Sequence, residues 1–171
     1  MREFRDRPLV LSELSQLLWA AQGITHRSGY RAAPSAGALY PLDVYVLAGN
    51  ITGIDVGTYK YLPHEHSILN YASGDKRMAL RHAALDQPAV SGAAAVLVFC
   101  ALYERTIGSY GKRGIKYVHM EAGHAAQNVY LQAVSLQLGT VVLGAFDDEQ
   151  VKEVLTLREK QPLYLMPVGK T

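Results

Sequence analysis

The run Ala93–Tyr103 is eleven residues without a charge, rich in Val, Leu and Phe. It falls well short of the ~20 residues that cross a bilayer as a helix. It is also too evenly apolar for a strand with one wet face, and so predicts a central strand covered on both sides. A strand of that kind needs apolar layers above and below its sheet. The chain's 171 residues suffice for one such unit, 1–171, and are few for a two-domain enzyme.

Other segments supply the layers. Ser12 is a candidate cap for a helix over Glu13–Gln22, with Leu14, Leu17, Leu18 and Ala21 on one stripe and Gly23 at its end. Leu42–Ala48 reads as a buried strand, and Thr58–Leu62 with Ser67–Tyr71 as a hairpin. Asp75–Leu85 reads as a helix and Glu104–Gly114 as a polar, Gly-rich loop. The strongest helical signal covers Ile115–Leu138, where Val118, Ala122, Ala125, Val129, Ala133 and Leu136 recur at steps of three or four. A second stripe, Leu131, Val134 and Leu138, predicts that its far half is buried nearly all round, and Gly139 should end it. A strand over Thr140–Leu143, a helix over Asp147–Leu155 capped by Asp147 and a strand over Leu163–Val168 complete an α+β sandwich.

Composition removes several functions. Seventeen Lys and Arg against fifteen Asp and Glu argue against a dedicated nucleic-acid binder. The one cysteine, Cys100, cannot form an intrachain disulfide and lies where a small hydrophobe packs. No signal-peptide core follows Met1, so a cytoplasmic protein without a membrane partner is the expectation. No Gly-Lys-Ser/Thr phosphate loop, Gly-x-Ser-x-Gly elbow or dinucleotide fingerprint is present. His119 and His124 flank Glu121, but five helical residues set two side chains about 140° apart, which favours ordinary packing over a metal.

Three segments look unlike plain packing. In Arg31–Pro41, small residues at 35 to 38 let backbone approach something flat, although Ser35 could equally cap a helix. In Leu143–Asp147, Gly144 permits close approach and free N–H groups before a helix can donate to a ligand, or simply form a turn. At the start of the long helix, Lys112, Arg113 and Lys116 crowd the end where the macrodipole favours acids. A lysine held there out of water, with Tyr117 beside it, suits proton transfer; a solvated basic loop is the plain alternative.

Taken together, these segments resemble the flavin-dependent nitroreductase superfamily, in particular its SagB-type branch of thiazoline and oxazoline dehydrogenases. The likeness is carried by Pro8–Gly23, Ala33–Pro41, Lys116-Tyr117 leading into Glu121–Asn128, Leu143–Asp148 and Pro162–Gly169. It implies a nitroreductase-like α+β sandwich with a central, mostly antiparallel sheet flanked by helices. It further implies an FMN cofactor and a homodimer with flavin sites at the interface. By position, Pro34, Ser35, Ala36 and Gly37 would lie along the flavin, and Gly144 and Ala145 would donate near N5. Val142 and Leu143 would cover a ring face, and Arg2 would contact the N1/C2-oxygen edge. Lys116 and Tyr117 match the pair that abstracts a proton in azoline dehydrogenases. The family's phosphate-binding Arg and Ser fall before Arg2, leaving Lys170, Arg27 or Arg31 as candidates for that role.

The resemblance implies two-electron hydride transfer through flavin N5. The substrate would be a small-molecule or peptide azoline, or NAD(P)H would load the flavin for a nitro or quinone acceptor. A flavin-binding module without turnover is the alternative, and a hydrolase using Ser35 finds no His/Asp arrangement around it.

Overall fold

Strand β6 (Ala95–Ala101) is buried at every position and lies between β2 (Leu42–Ala48) and β8 (Gln161–Lys170) in the computed structural model, which describes residues 1–171. Alternation along the strand divides its side chains. Ala95, Leu97, Phe99 and Ala101 enter one hydrophobic cluster, and Val96, Val98 and Cys100 enter another on the opposite face. No position of β6 is therefore free to be polar, which accounts for the unbroken apolar run. Cys100 sits in the second cluster, and burial pushes its thiol far above the usual range.

The sheet has six strands in the order β5-β4-β2-β6-β8-β7, where β4 is Gly57–Leu62, β5 Ser67–Ser73 and β7 Leu138–Thr140. Every neighbouring pair is antiparallel. The larger cluster is roofed by helices α1 (Leu11–Gln22) and α5 (Arg113–Ser135) through Leu14, Leu17, Leu18, Val118, Ala125 and Val129. On the other face, α2 (Arg77–Ala83), α3 (Pro88–Gly92) and α6 (Asp148–Leu155) contribute Leu80, Ala83, Val90, Val151 and Leu155. The result is the expected α+β arrangement of a central antiparallel sheet flanked by helices. No helix is long and apolar enough to cross a membrane.

One charged residue interrupts the apolar face of β2. Asp43 meets Lys160 at 2.7 Å, Lys60 at 3.2 Å and Arg105 at 3.3 Å. Burial works against its charge, but these three cations hold its carboxyl below the usual range.

Several boundaries differ from the sequence reading. Helix α1 starts at Leu11, not after Ser12, because the Glu13 carboxylate reaches back to the Val10 N–H at 2.9 Å. The two-residue strands β1 (Leu9–Val10) and β3 (Ile51–Thr52) pair in parallel and are too short to show a period. The expected Glu104–Gly114 loop is a helix, α4 (Glu104–Tyr110), followed by a tight turn at Gly111 with φ +55°. Its glycines have separate tasks. A Cβ on Gly114 would stand 3.0 Å from the backbone of Thr106 and Ile107, so this glycine lets α5 press against α4.

Helix α5 stops at Ser135, three residues before the expected end, and Gln137 makes the reversal with φ +55°. Gly139 therefore belongs to β7, and the expected Thr140–Leu143 strand moves back to Leu138–Thr140. Of the second stripe only Leu138, which lies in β7, is buried: Leu131 is 63% exposed and Val134 75%. Helix α6 begins as expected, with Asp147 accepting from the Gln150 N–H at 3.0 Å.

The two-faced burial of β6 gives a direct test. Leu97→Ala should cost about 2–5 kcal/mol in urea unfolding, the range for a fully buried leucine. Leu69→Ala, on the edge strand β5 and 54% exposed, should stay within about 0.5 kcal/mol.

Candidate active site

Two surface hollows flank helix α5, one lined by it directly and the other by the loop it holds. The first forms where the chain leaves β7 for α6. Leu143 exchanges two backbone hydrogen bonds with Leu165, at 2.8 and 3.0 Å, and the Val142 N–H donates to the Tyr130 hydroxyl at 2.8 Å. This pinning leaves Gly144 and Ala145 exposed, with N–H groups that donate to no other group of the chain. A hollow of about 290 Å³ opens there, lined by His119, Gly144, Phe146, Asp148 and Tyr164 among others. A Cβ on Gly144 would meet nothing nearer than Tyr164 at 3.7 Å, so the floor is open to a flat group.

One expectation about this hollow changes. The Leu143 side chain is 3% exposed and packs in the cluster beneath the sheet, so it cannot cover a ring face. Val142 is half-buried beside the other cluster, so part of its side chain stays accessible. Arg2 is tied to Ala145, next to the hollow's Gly144, by a residue the sequence did not single out. Its Nη1 donates to Gln87 Oε1 at 3.2 Å, and Gln87 Nε2 donates to the Ala145 carbonyl at 2.9 Å. Gln87 stands just before Pro88 at the start of α3, and nothing in its residue type or spacing marks it.

The second hollow, about 540 Å³, is lined by Tyr30, Arg31, Pro34, Ser35, Gly37 and Tyr40 among others. Its loop is held by one stripe of α5, residues 117, 121, 124 and 128, at steps that share a helix face. Asn128 donates to the carbonyls of Ala20 and Ala32, both at 3.2 Å, and His124 Nδ1 lies 3.3 Å from the Pro34 carbonyl. Glu121 faces Ser35 and Gln22. Tyr117 meets Tyr110 edge-on with ring centroids 5.1 Å apart. Tyr110 in turn stands over Gly37, where a Cβ would come 2.8 Å from its hydroxyl. Gly37 also has φ +60°, so both its backbone and its missing side chain are required. Ala36 sits half-buried in the same one-turn 3₁₀ segment, Ala36–Ala38. Ser35 precedes that turn, and its Oγ accepts from the Tyr40 N–H at 3.0 Å.

The candidate cations divide. Arg31 is half-buried, stacks over the Tyr40 ring at 4.5 Å and donates to Gln22 Oε1 at 2.8 Å. Burial lowers its pKa, opposed by the nearby Glu121. Lys170 is paired with Glu13, lines neither hollow described here, and is thus committed elsewhere. Arg27 is exposed in the turn after α1. Lys116 is exposed on α5, so the removal from water expected for it is not provided by this chain alone. His119 and His124 go to separate partners, the Tyr103 hydroxyl and the Pro34 carbonyl.

Glu121 is the most perturbed acid of the site. It is 2% exposed, and burial pushes its carboxyl up to about 7, against the opposing influence of Ser35, Arg31 and Gln22. Its Oε1 is buried without a hydrogen-bond partner. A carboxyl whose pKa is raised on folding stabilises the protein below the unfolded value near 4.5, and that stability is lost as pH rises towards 7. Wild type should therefore lose up to about 3 kcal/mol relative to Glu121→Gln between those limits. Urea unfolding at a series of pH values checks this, and a constant difference between the two proteins would contradict it. Gly37→Ala should cost about 1 kcal/mol or more in the same assay, from the left-handed backbone and the Tyr110 contact.

Comparison with known proteins agrees with this geometry. The family model described as the Nitroreductase family matches residues 1–170. The Methanocaldococcus jannaschii protein MJ1384, provisionally named a nitroreductase, is 49% identical over 170 residues, covering 99% of this chain and 85% of its own. The Escherichia coli Microcin B17-processing protein McbC is 29% identical over 135 residues, which is 76% of this chain and only 50% of McbC. A crystal structure from Ralstonia eutropha, also provisionally named a nitroreductase, superposes with a TM-score of 0.88 at 32% identity, covering 100% of this chain and 78% of the other. The match runs through both hollows and the helix between them, and the chain belongs to the nitroreductase family of oxidoreductases.

Proposed function

We propose that the protein is an FMN-dependent oxidoreductase that works as a homodimer, and that it belongs to the SagB-type dehydrogenases. The observation that carries the flavin reading is the pair of exposed, unengaged N–H groups at Gly144 and Ala145, with Arg2 tethered beside them through Gln87. Two donors and a cation around an open floor fit the polar edge of a flavin ring. The resemblance of Lys116-Tyr117 to the azoline dehydrogenase pair, and the likeness to McbC, support the branch.

When bound, FMN supplies two-electron hydride chemistry through N5. The chain's own groups do the rest. Gly144 and Ala145 would hold the flavin's polar edge with their free N–H groups, and Arg2 would supply positive charge that favours the reduced form. Val142 and the backbone of Pro34–Gly37 would shield the bound ring from water. Lys116 or Tyr117 would take the carbon-bound proton of an azoline whose hydride the flavin accepts. NAD(P)H is the candidate reductant when the site runs towards a nitro or quinone acceptor.

The dimer reading rests on α5. Met120, Leu131 and Val134 are 46%, 63% and 75% exposed and lie on one side of the helix, with Trp19 of α1 nearby. Lys116 is on that same side, so a second copy packed there would take it out of water. Lys116→Ala and Tyr117→Phe should each lower kcat on a thiazoline substrate by about 10²-fold or more while FMN stays bound. A variant that keeps full activity removes its residue from the mechanism. Leu131→Arg combined with Val134→Arg should convert a dimer to a monomer in light scattering, and a monomeric wild type would end the dimer reading.

A further inference from the structure

We propose that Glu121 is a positioning residue that couples ligand binding in the Pro34–Gly37 hollow to the uptake of a proton, by competing with the ligand for the single hydroxyl proton of Ser35. The inference rests on the flavin reading above and concerns a group that reading does not use. Ser35 Oγ accepts from the Tyr40 N–H at 3.0 Å, which orients the hydroxyl and leaves its own proton to donate. Two acceptors lie within its range of rotation. Behind it is the carboxyl of Glu121, and in front is whatever acceptor atom a ligand brings into the hollow.

The buried polar cluster makes that choice depend on charge. Glu121 Oε1, Gln22 Nε2 and Arg31 Nε are all buried without hydrogen-bond partners, so the cluster is undersatisfied from within the chain. An ionised carboxylate there is a strong acceptor in low-dielectric surroundings and takes the Ser35 proton. A neutral carboxyl is a much weaker acceptor, so the Ser35 O–H is free to turn to a ligand. Binding thus draws one proton from solvent onto Glu121, and no covalent bond changes.

The groups around the carboxyl allow this exchange. Gln22 faces it from α1, and Ser35 and Arg31 from the segment that follows. Arg31 favours the ionised form but is itself held by Gln22 and Tyr40, and is influenced by Arg105 and Asp43. On its own helix, Tyr117 and His124 flank it and are engaged with Tyr110 and the Pro34 carbonyl. Burial pushes the carboxyl up to about 7, where both forms are populated near neutral pH. The ligand class is a flat heteroaromatic with carbonyl or ring-nitrogen acceptors, as in a flavin.

Two measurements test this. In protein labelled with ¹³C at glutamate carboxyls, the resonance missing from Glu121→Gln should titrate near neutral pH without any ligand. Ser35→Ala should raise its midpoint by about one pH unit, because the ionised form loses a donor; an unchanged midpoint overturns the competition. In calorimetry at pH 7.5 in buffers of differing ionisation enthalpy, riboflavin (which has no phosphate to titrate) and FMN should take up a substantial fraction of a proton on binding wild type. Glu121→Gln and Ser35→Ala should lack that fraction, and equal uptake in all three proteins overturns the coupling. Should Glu121→Gln fail to fold, Glu121→Asp identifies the resonance instead, and Ser35→Ala, at a half-buried position, carries both comparisons. If neither flavin binds while Ser35→Ala still moves the midpoint, the flavin reading falls and the Ser35–Glu121 competition is upheld.

Discussion

The burial of both faces of β6 is the constraint on which the rest of the molecule depends. Seven residues alternate into two separate clusters, so helices are required on each side of the sheet. The roof over the larger cluster is α5, whose apolar stripe faces down. The remaining circumference of α5 is then available for other work. One sector holds the Ala32–Gly37 loop, another borders the Gly144 hollow, and a third presents exposed apolar side chains. The site is a by-product of where a long helix must lie to cover a buried strand.

The second hollow depends on the same economy of placement. Tyr117, Glu121, His124 and Asn128 each touch a different point of the loop or its neighbours. The loop is thereby fixed from residue 32 to residue 37 without any regular structure of its own beyond one 3₁₀ turn. Such fixing lowers the entropy lost when a ligand is bound. Within it lies one carboxyl whose burial is not matched by partners, and an unsatisfied acid at a candidate site is a place where charge can be exchanged instead of merely stored.

Elements with a strong period or an unbroken apolar run were legible in the sequence. Leu42–Ala48 forms a strand with the bounds expected, and β6 takes the centre of its run. Helix α4 was hidden because Gly108 and Gly111 lower helix propensity, while the packing that sustains it comes from Gly114 on the next helix. The end of α5 was misplaced because Gln137, a residue type with no turn signal, takes the positive φ that Gly139 would have accepted. Leu131 and Val134 followed the helical period, but period alone does not say whether an apolar stripe meets its own core or another molecule. In the site, Gly144 and Gly37 were visible as small residues in unusual places. Gln87 was invisible, since its role arises only when α3 brings it between Arg2 and Ala145. In the sequence Glu121 stands out only between two histidines whose spacing disfavours a metal, and as the first residue of the Glu121–Asn128 segment. Its actual stripe, with 117, 124 and 128, becomes meaningful once the loop is seen lying on it.

The central claim is that the Gly144 hollow and the Pro34–Gly37 loop together hold a flavin. The most direct measurement is the visible absorption spectrum of the protein after incubation with excess FMN and removal of free ligand. The account predicts a retained flavin spectrum that is markedly weakened by Gly37→Ala and by a bulky residue at Gly144. Protein that remains colourless after this treatment would contradict it.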